Sequence, residues 1–321
     1  MKRTATFRNA TMILLLLLLL TACGAPSEPD SDAVPAATSP PQEIDYSKTG
    51  TRDHTPLCLV PVAEGVSVFE NEVVKVDASH LEEGYVMVQY TGQNHKVKLQ
   101  ITGPDTVTYT YDLKTTDFET FPLSASDGAY HLVVYENIEG KQYATVFSLD
   151  LETKITNTFG AFLYPNQYVK FTKENEAVSL AEKLATPADN DLDVVTNVYT
   201  YVISHITYDF EKAETVESGY LPDVDNTLNT GKGICLDYAS LMTSMLRSQN
   251  IPTRMEVGYA GEAYHAWLST YIKDVGWVNG IIKFDGTDWT LMDPTFASTS
   301  SEKDLKNFIG DGENYRTKYI Y

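Results

Sequence analysis

The feature that most constrains this fold is a change of period along the chain. From about residue 58 to 152 apolar residues alternate with polar ones, whereas from about residue 174 they recur every three to four positions. The first pattern makes half-buried strands and the second makes amphipathic helices. The chain is therefore expected to be multi-domain, with an all-β N-terminal part followed by an α+β part.

Strands are predicted at Val73–Asp77, Tyr85–Tyr90, Val97–Thr102, Thr106–Tyr111, Tyr130–Tyr135 and Gln142–Asp150. Turn residues separate them at Glu83-Gly84, Gly92-Gln93-Asn94, Gly103-Pro104-Asp105, Asp127-Gly128 and Glu139-Gly140. Short strands at such spacing predict an immunoglobulin-like sandwich over 58–152. Asp127-Gly128-Ala129-Tyr130 is similar to the corner tyrosine before a late strand in such sandwiches. The segment carries no catalytic cluster, so a spacer or binding module is the expectation for it.

Before these strands the composition changes twice. Lys2, Arg3 and Arg8 precede an apolar run from Met12 to Leu20, too short to span a bilayer and suited to a signal peptide. Leu20-Thr21-Ala22-Cys23 closes it and resembles the lipobox of bacterial lipoproteins. The resemblance implies a leader over 1–22, lipidation of Cys23, and anchoring to the outer face of the cell membrane. Residues 23–57 hold Pro26, Pro29, Pro35, Pro40 and Pro41 among Ser, Ala, Asp and Glu, with no hydrophobic period. Such composition cannot bury enough apolar surface to order itself and reads as a disordered tether.

Charge narrows the partners. The 321 residues contain 24 basic and 44 acidic side chains, a net of −20. Removing the leader takes three basic residues and no acidic one, leaving −23. A phosphate backbone needs a basic stripe, so nucleic acid is excluded as a partner. Tyr outnumbers Phe by 21 to 12, which suits half-buried strands and wet clefts.

Two helices open the second domain, expected over 160–321. Glu174 to Ala185 has helical composition, and Asp191 to Ile206 places Val195, Val198, Tyr199, Val202, Ile203 and Ile206 on one face. Asp189, Asn190, Asp191 and Asp193 invite a calcium reading, but Val194 stands where an EF-hand loop needs Gly and Thr200 where it needs Glu. They serve instead as a helix cap and first-turn carboxylates. No metal or other cofactor is implied. His205 belongs at a helix C-terminus.

Residues 231–242 read G-K-G-I-C-L-D-Y-A-S-L-M. Tyr238, Leu241, Met242, Met245 and Leu246 fall at helical spacing, so Cys235 begins a buried helix. A thiol there meets the positive end of the helix dipole, which favours the thiolate. Alone, such a cysteine is usually a small hydrophobe. Downstream, however, Thr253–Gly258 and His265–Ile272 read as strands, and Trp289–Met292 as a strand ending at Asp293-Pro294-Thr295. A helix-borne Cys, a strand-borne His and a strand-end Asp form the layout of a thiol acyl-transfer triad.

G-K-G-I-C-L-D-Y-A, H-A-W and L-M-D-P-T-F, in that order, resemble the transglutaminase-like superfamily over about residues 174–296. The resemblance implies a papain-like core, in which a helix carrying Cys235 packs on one antiparallel sheet carrying His265 and Asp293. It also implies that Cys235, His265 and Asp293 are catalytic and that Tyr208 supplies a second oxyanion donor beside the Cys235 N–H. Leu268-Ser269-Thr270 departs from the pattern, because relatives often carry an acidic or amide residue there.

Trp267 and Trp277 could line an acyl channel, but packing is the simpler role for each. Cys58 could pair with Cys235, provided two domains bring them into disulfide geometry. Two functions follow from the sequence. One is a surface-anchored cysteine acyltransferase or amide hydrolase acting on protein or peptidoglycan peptides through a thioester. The other is a catalytically silent lipoprotein whose sandwich holds a wall or protein ligand. The sequence assigns neither an oligomeric state nor a direction of reaction.

Overall fold

The computed structural model describes residues 44–279, 281–284, 289–292 and 314–321. The leader, Cys23 and the proline-rich stretch up to residue 43 lie outside them.

The N-terminal half is built of β1 (Val68–Glu70), β2 (Val74–Asp77), β3 (Tyr85–Tyr90), β4 (Val97–Thr102), β5 (Thr108–Leu113), β6 (Glu119–Pro122), β7 (Gly128–Glu139) and β8 (Gln142–Thr153). They form two antiparallel four-stranded sheets, ordered β1-β2-β3-β6 and β5-β4-β7-β8. β4 shows why the sequence takes this form. Val97, Leu99 and Ile101 point inward and are buried, while Lys98, Gln100 and Thr102 alternate outward. Each fully buried aliphatic contributes about 1.5–3 kcal/mol. The outer row is joined across the strands by Lys98–Asp112 at 2.7 Å and Thr102–Thr108 at 2.8 Å. Val76, Val86, Val88 and Phe121 of one sheet share a core with Leu99, Ile101, Tyr111, Leu132 and Val134 of the other. Tyr130 belongs to that core, and its hydroxyl donates to the Ala125 carbonyl at 2.7 Å.

The C-terminal half contains α1 (Glu176–Ala185), α2 (Asp191–His205), β9 (Thr207–Tyr208), α3 (Phe210–Thr215), α4 (Val224–Thr230), β10 (Lys232–Gly233) and α5 (Cys235–Ser248). These are followed by β11 (Thr253–Ala260), β12 (Ala263–Ile272), β13 (Gly276–Asn279), β14 (Ile281–Phe284), β15 (Trp289–Met292) and β16 (Tyr315–Ile320). β13-β12-β11-β16 is one antiparallel sheet. α1 and α2 bury Ala177, Ala181, Leu184, Val194, Val198 and Val202 against Tyr238, Leu241, Met242 and Met245 of α5, which is buried from Asp237 onward. The acidic cluster acts as a helix start: Asn190 accepts from the Asp193 N–H at 3.0 Å, and Asp193 from the Asp189 N–H at 2.9 Å.

The core of the paired sheets continues into this half. Met255, Val257, Ala266 and Tyr321 belong to the same apolar cluster as Leu99 and Tyr111. Arg247, fully buried near the end of α5, donates to the carbonyls of Thr253, Tyr164 and Tyr321 at 2.9, 2.7 and 2.8 Å. Burial pushes its guanidinium down to about 9.

Residues 50–57, within the stretch read from composition as tether, are bonded to the C-terminal half. Gly50 N–H donates to Thr186 O, Arg52 N–H to Ala188 O and Leu57 N–H to Ser248 O. Arg52 also pairs with Asp191 at 2.6 Å. The carbonyls at the ends of α1 and α5 lack partners within their helices, and this segment supplies donors to them. A polar, proline-bearing stretch is held here mainly by hydrogen bonds and the Arg52 ion pair, with Ile44 packed on the helical core.

Candidate active site

The loop before the nucleophile candidate is set by two glycines. Gly231 closes α4 at φ +62°, where its N–H donates to Thr227 and Leu228. Gly233 has no room for a side chain, since a Cβ would stand 2.7 Å from the Asp237 Cβ. Asp237 folds back because its carboxylate accepts the Ile234 N–H at 2.8 Å, capping the first turn of α5 from its third position. Cys235, the first residue of α5, is a free, half-buried thiol.

β10 pairs in parallel with β9, so Gly233 stands opposite Tyr208. The Tyr238 hydroxyl, inside α5, donates to Ile206 O at 2.7 Å and fixes the entry to β9. Burial first, then the charge of Cys235, pushes the Tyr208 phenol up. Tyr208 is therefore within electrostatic reach of the thiol and keeps its O–H at neutral pH. Phe210 packs edge-on against it at 4.9 Å and is itself exposed.

The packing clusters divide along α5. Cys235, Leu236 and Ala239 share one cluster with Val257 and Ala266, while Leu241, Met242 and Met245 share another with Leu268 and Ile272. The first turn of α5 therefore lies at the His265 end of β12. Ala266 and Leu268 of β12 pack in the same clusters as residues of α5. His265 is buried, opposite Gly258 of β11, with its ring 6.2 Å from Trp267 and 6.4 Å from Tyr315.

A family model of the transglutaminase-like superfamily matches residues 178–280, which hold α5, β11, β12 and both Cys235 and His265. Residues 178–280 are a transglutaminase-like domain. A UPF0252 protein of Methanocaldococcus jannaschii is 30% identical over 26% of this chain and 27% of its own length. An uncharacterised protein of Bacillus subtilis is 27% identical over 41% of this chain and 21% of its own length. The chain thus spans a minor part of both relatives. Among solved structures, a candidate cysteine protease from Cytophaga hutchinsonii is 15% identical with a TM-score of 0.34, covering 72% of this chain and 69% of that one. Red sea bream transglutaminase is 14% identical with a TM-score of 0.23, covering 66% and 48%.

Within the transglutaminase-like domain and its flanks some expectations need adjustment. Asp293 lies outside the described residues. The strand that leads to it, β15, pairs with β14 in a separate two-stranded sheet, with Ile281 opposite Met292. Trp267 is buried edge-on to Tyr315 at 5.0 Å, and Trp277 packs on Phe162 under the Arg254 guanidinium. Both are packing residues. At the departure after H-A-W, Ser269 donates to Glu256, which also accepts from Thr317 at 2.5 Å. A buried carboxylate from β11 therefore stands against that position.

Cys58 is a second free thiol. Its neighbour Leu57 bonds Ser248, the last residue of α5, roughly 20 Å along the helix from Cys235. That span rules out a disulfide between them in this fold.

Three residues, Asp237 and its partners Lys212 and Tyr220, had no assigned role in the sequence. Asp237 is completely buried and accepts from Lys212 Nζ at 2.7 Å and from the Tyr220 hydroxyl at 2.6 Å. Asp237 sits inside the cysteine motif, but Lys212 and Tyr220 come from α3 and the connection after it, where no period or spacing announces them.

Proposed function

We propose that this chain is a membrane-anchored cysteine acyltransferase or amide hydrolase of transglutaminase-like type, acting on protein or peptidoglycan peptide amides. The observation that carries the reading is the seat of Cys235: a free thiol opening a buried helix, with Tyr208 beside it and its first turn at the His265 end of β12.

In this mechanism the Cys235 thiolate attacks the amide carbonyl, and the Cys235 N–H and Tyr208 hydroxyl donate to the oxyanion. His265 delivers a proton to the departing amine, leaving a thioester on Cys235. It then takes a proton from the acceptor, and collapse of the second tetrahedral species returns the free thiol. With water as acceptor the product is a carboxylate; with an amine it is a new amide. Asp293 orients His265 and stabilises the imidazolium.

In the same reading the C-terminal core is papain-like, supported by the packing of α5 on the β11–β12 sheet. The paired N-terminal sheets are immunoglobulin-like, supported by their strand order and the Tyr130 corner. Lipidated Cys23 holds the protein at the outer membrane face.

Alkylation of Cys235 by iodoacetamide, followed by peptide mapping in the intact chain, tests the catalytic reading. Cys58 gives little background at neutral pH, because burial and then Glu174 push its thiol up. Fast alkylation at neutral pH with two inflections, slowed by His265→Ala, is the expected result. A single inflection in the ordinary thiol range, unmoved by His265→Ala, leaves a silent binding protein.

A further inference from the structure

We propose that Lys212 is a positioning residue for the nucleophile, whose ammonium cancels the charge of Asp237 within the first turn of α5 and so keeps the Cys235 thiolate available. The proposal rests on the reading of Cys235 as the nucleophile.

Asp237 sits two residues after the thiol and is completely buried. A carboxylate so placed opposes a second negative charge on the same helical turn, and burial strengthens that opposition. The structure supplies three partners for it: the Ile234 N–H, the Tyr220 hydroxyl and the Lys212 ammonium. Only the last brings a positive charge. Lys212 also donates to the Tyr220 hydroxyl at 2.6 Å and lies 4.3 Å over its ring, so the three side chains close a triangle. Burial alone would lower the Lys212 ammonium, but its bonds to Asp237 and Tyr220 outweigh burial and raise it.

The same clamp bears on geometry. Asp209 caps α3 by accepting the Lys212 N–H at 2.9 Å, and its own N–H donates to Gly233 O. Lys212 thus ties α3, and with it Tyr208 immediately upstream, to the helix that starts at Cys235. The titratable groups around the thiol are Tyr208 from β9, Tyr238 and Asp237 from α5 itself, and His265 from β12. Lys232 on β10 is exposed. Lys212 and Tyr220 act through Asp237. Tyr208 keeps its O–H at neutral pH, and Lys212 is the cation bonded to Asp237.

A structural ion pair alone would lower stability when broken and leave the reactivity of a folded protein unchanged. The discriminating measurement is therefore the alkylation profile of Cys235 in full-length Lys212→Met, checked for folding by near-ultraviolet circular dichroism. Alkylation at neutral pH is expected to slow about tenfold, the profile moving up by about one pH unit. Lys212→Arg is expected to restore the rate, since it keeps the charge. A folded Lys212→Met that alkylates like wild type overturns the proposal, as does an unrescued Lys212→Arg. Where Lys212→Met does not fold, Lys212→Met/Asp237→Asn is compared with wild type: with the carboxylate gone no charge is left to cancel, so alkylation at the wild-type rate is expected, and a tenfold slower rate overturns the idea. If wild-type Cys235 itself is slow at neutral pH, the nucleophile reading has failed, and that result is distinct from all of these.

Discussion

Tyr208 and Gly233 face each other across a two-strand parallel ladder, which registers the phenol to the backbone two residues ahead of Cys235. Both ends of the ladder are fixed by main-chain bonds, Thr207 N–H to Gly231 O and Asp209 N–H to Gly233 O. A donor held this firmly costs little reorganisation when charge develops on an oxyanion. Tyr208→Phe keeps the ring and removes only the hydroxyl. Turnover of an amide substrate such as casein or a glutamine-donor peptide should fall by about 10²-fold with little change in KM. An unchanged kcat would remove Tyr208 from the oxyanion site.

Asp293→Ala tests the remaining member of the triad. Its expected task is to hold the His265 tautomer, so turnover should fall heavily, on the order of 10⁴-fold if it acts as the triad carboxylate does elsewhere. The circular dichroism and thermal midpoint should stay near those of wild type. Full activity in a folded variant would return the role to another acid, and buried Glu256, already bonded to Ser269 on the His265 strand, is then the one to replace next.

Much of this arrangement is legible in the sequence, and the exceptions have physical reasons. α5 begins at Cys235 and ends at Ser248 as its apolar spacing requires, because buried helices leave a strong period. β3 and β4 match their predicted limits for the same reason in period two. β1 and β6 were not legible: one is a three-residue edge strand and the other is four residues ending in proline, too short for alternation to show. α3 and α4 are six and seven residues long, and their termini are set by Asp209 and Asp223 caps rather than by an apolar stripe. The Lys212–Asp237–Tyr220 triangle could not be read either, since nothing local to Lys212 or Tyr220 records a partner on another helix.

Cys23→Ala tests the anchor. Without the lipidated cysteine the protein should move from the membrane fraction to the soluble fraction, with its specific activity unaltered. Two or three acyl chains give about 0.8 kcal/mol per buried CH₂, so nothing short of their loss should release it. Retention of the variant in the membrane fraction would refute lipidation at this position.

Arg247 is a strong test of how the two halves cohere. Arg247→Met fills similar volume but takes the guanidinium donors from the carbonyls of Thr253 and Tyr164, and one of two donors from Tyr321 O, which keeps the Met255 N–H. Each carbonyl left without a donor costs about 1–3 kcal/mol, so a loss of at least roughly 2 kcal/mol is expected in urea unfolding. Lysine should not rescue it, because a single ammonium cannot reach the three directions a guanidinium fork serves. A loss under about 1 kcal/mol would show that water replaces these bonds.

Alkaline pH probes the tyrosines. Burial pushes Tyr85 up to about 12, and burial with the Asp237 bond takes Tyr220 to about 12. Burial also raises Tyr111 and Tyr321 well above the ordinary phenol value. The unfolded chain releases such protons near 10, earlier than the folded one. Their contribution to stability is therefore whole below about pH 10 and is lost as pH rises towards the folded values. Titration followed by the tyrosinate absorbance band should show two phases: solvent-exposed rings ionising reversibly first, and the buried set appearing only with cooperative loss of near-ultraviolet circular dichroism. The second phase should fall between about pH 10 and 12, and Tyr220→Phe should shift it only slightly, because Tyr85, Tyr111 and Tyr321 remain. All 21 phenols titrating in a single step near 10 with the fold intact would contradict the packing of Tyr111 against Phe121 at 4.8 Å and Tyr321 at 6.1 Å, the contact through which the sheet core meets the transglutaminase-like half.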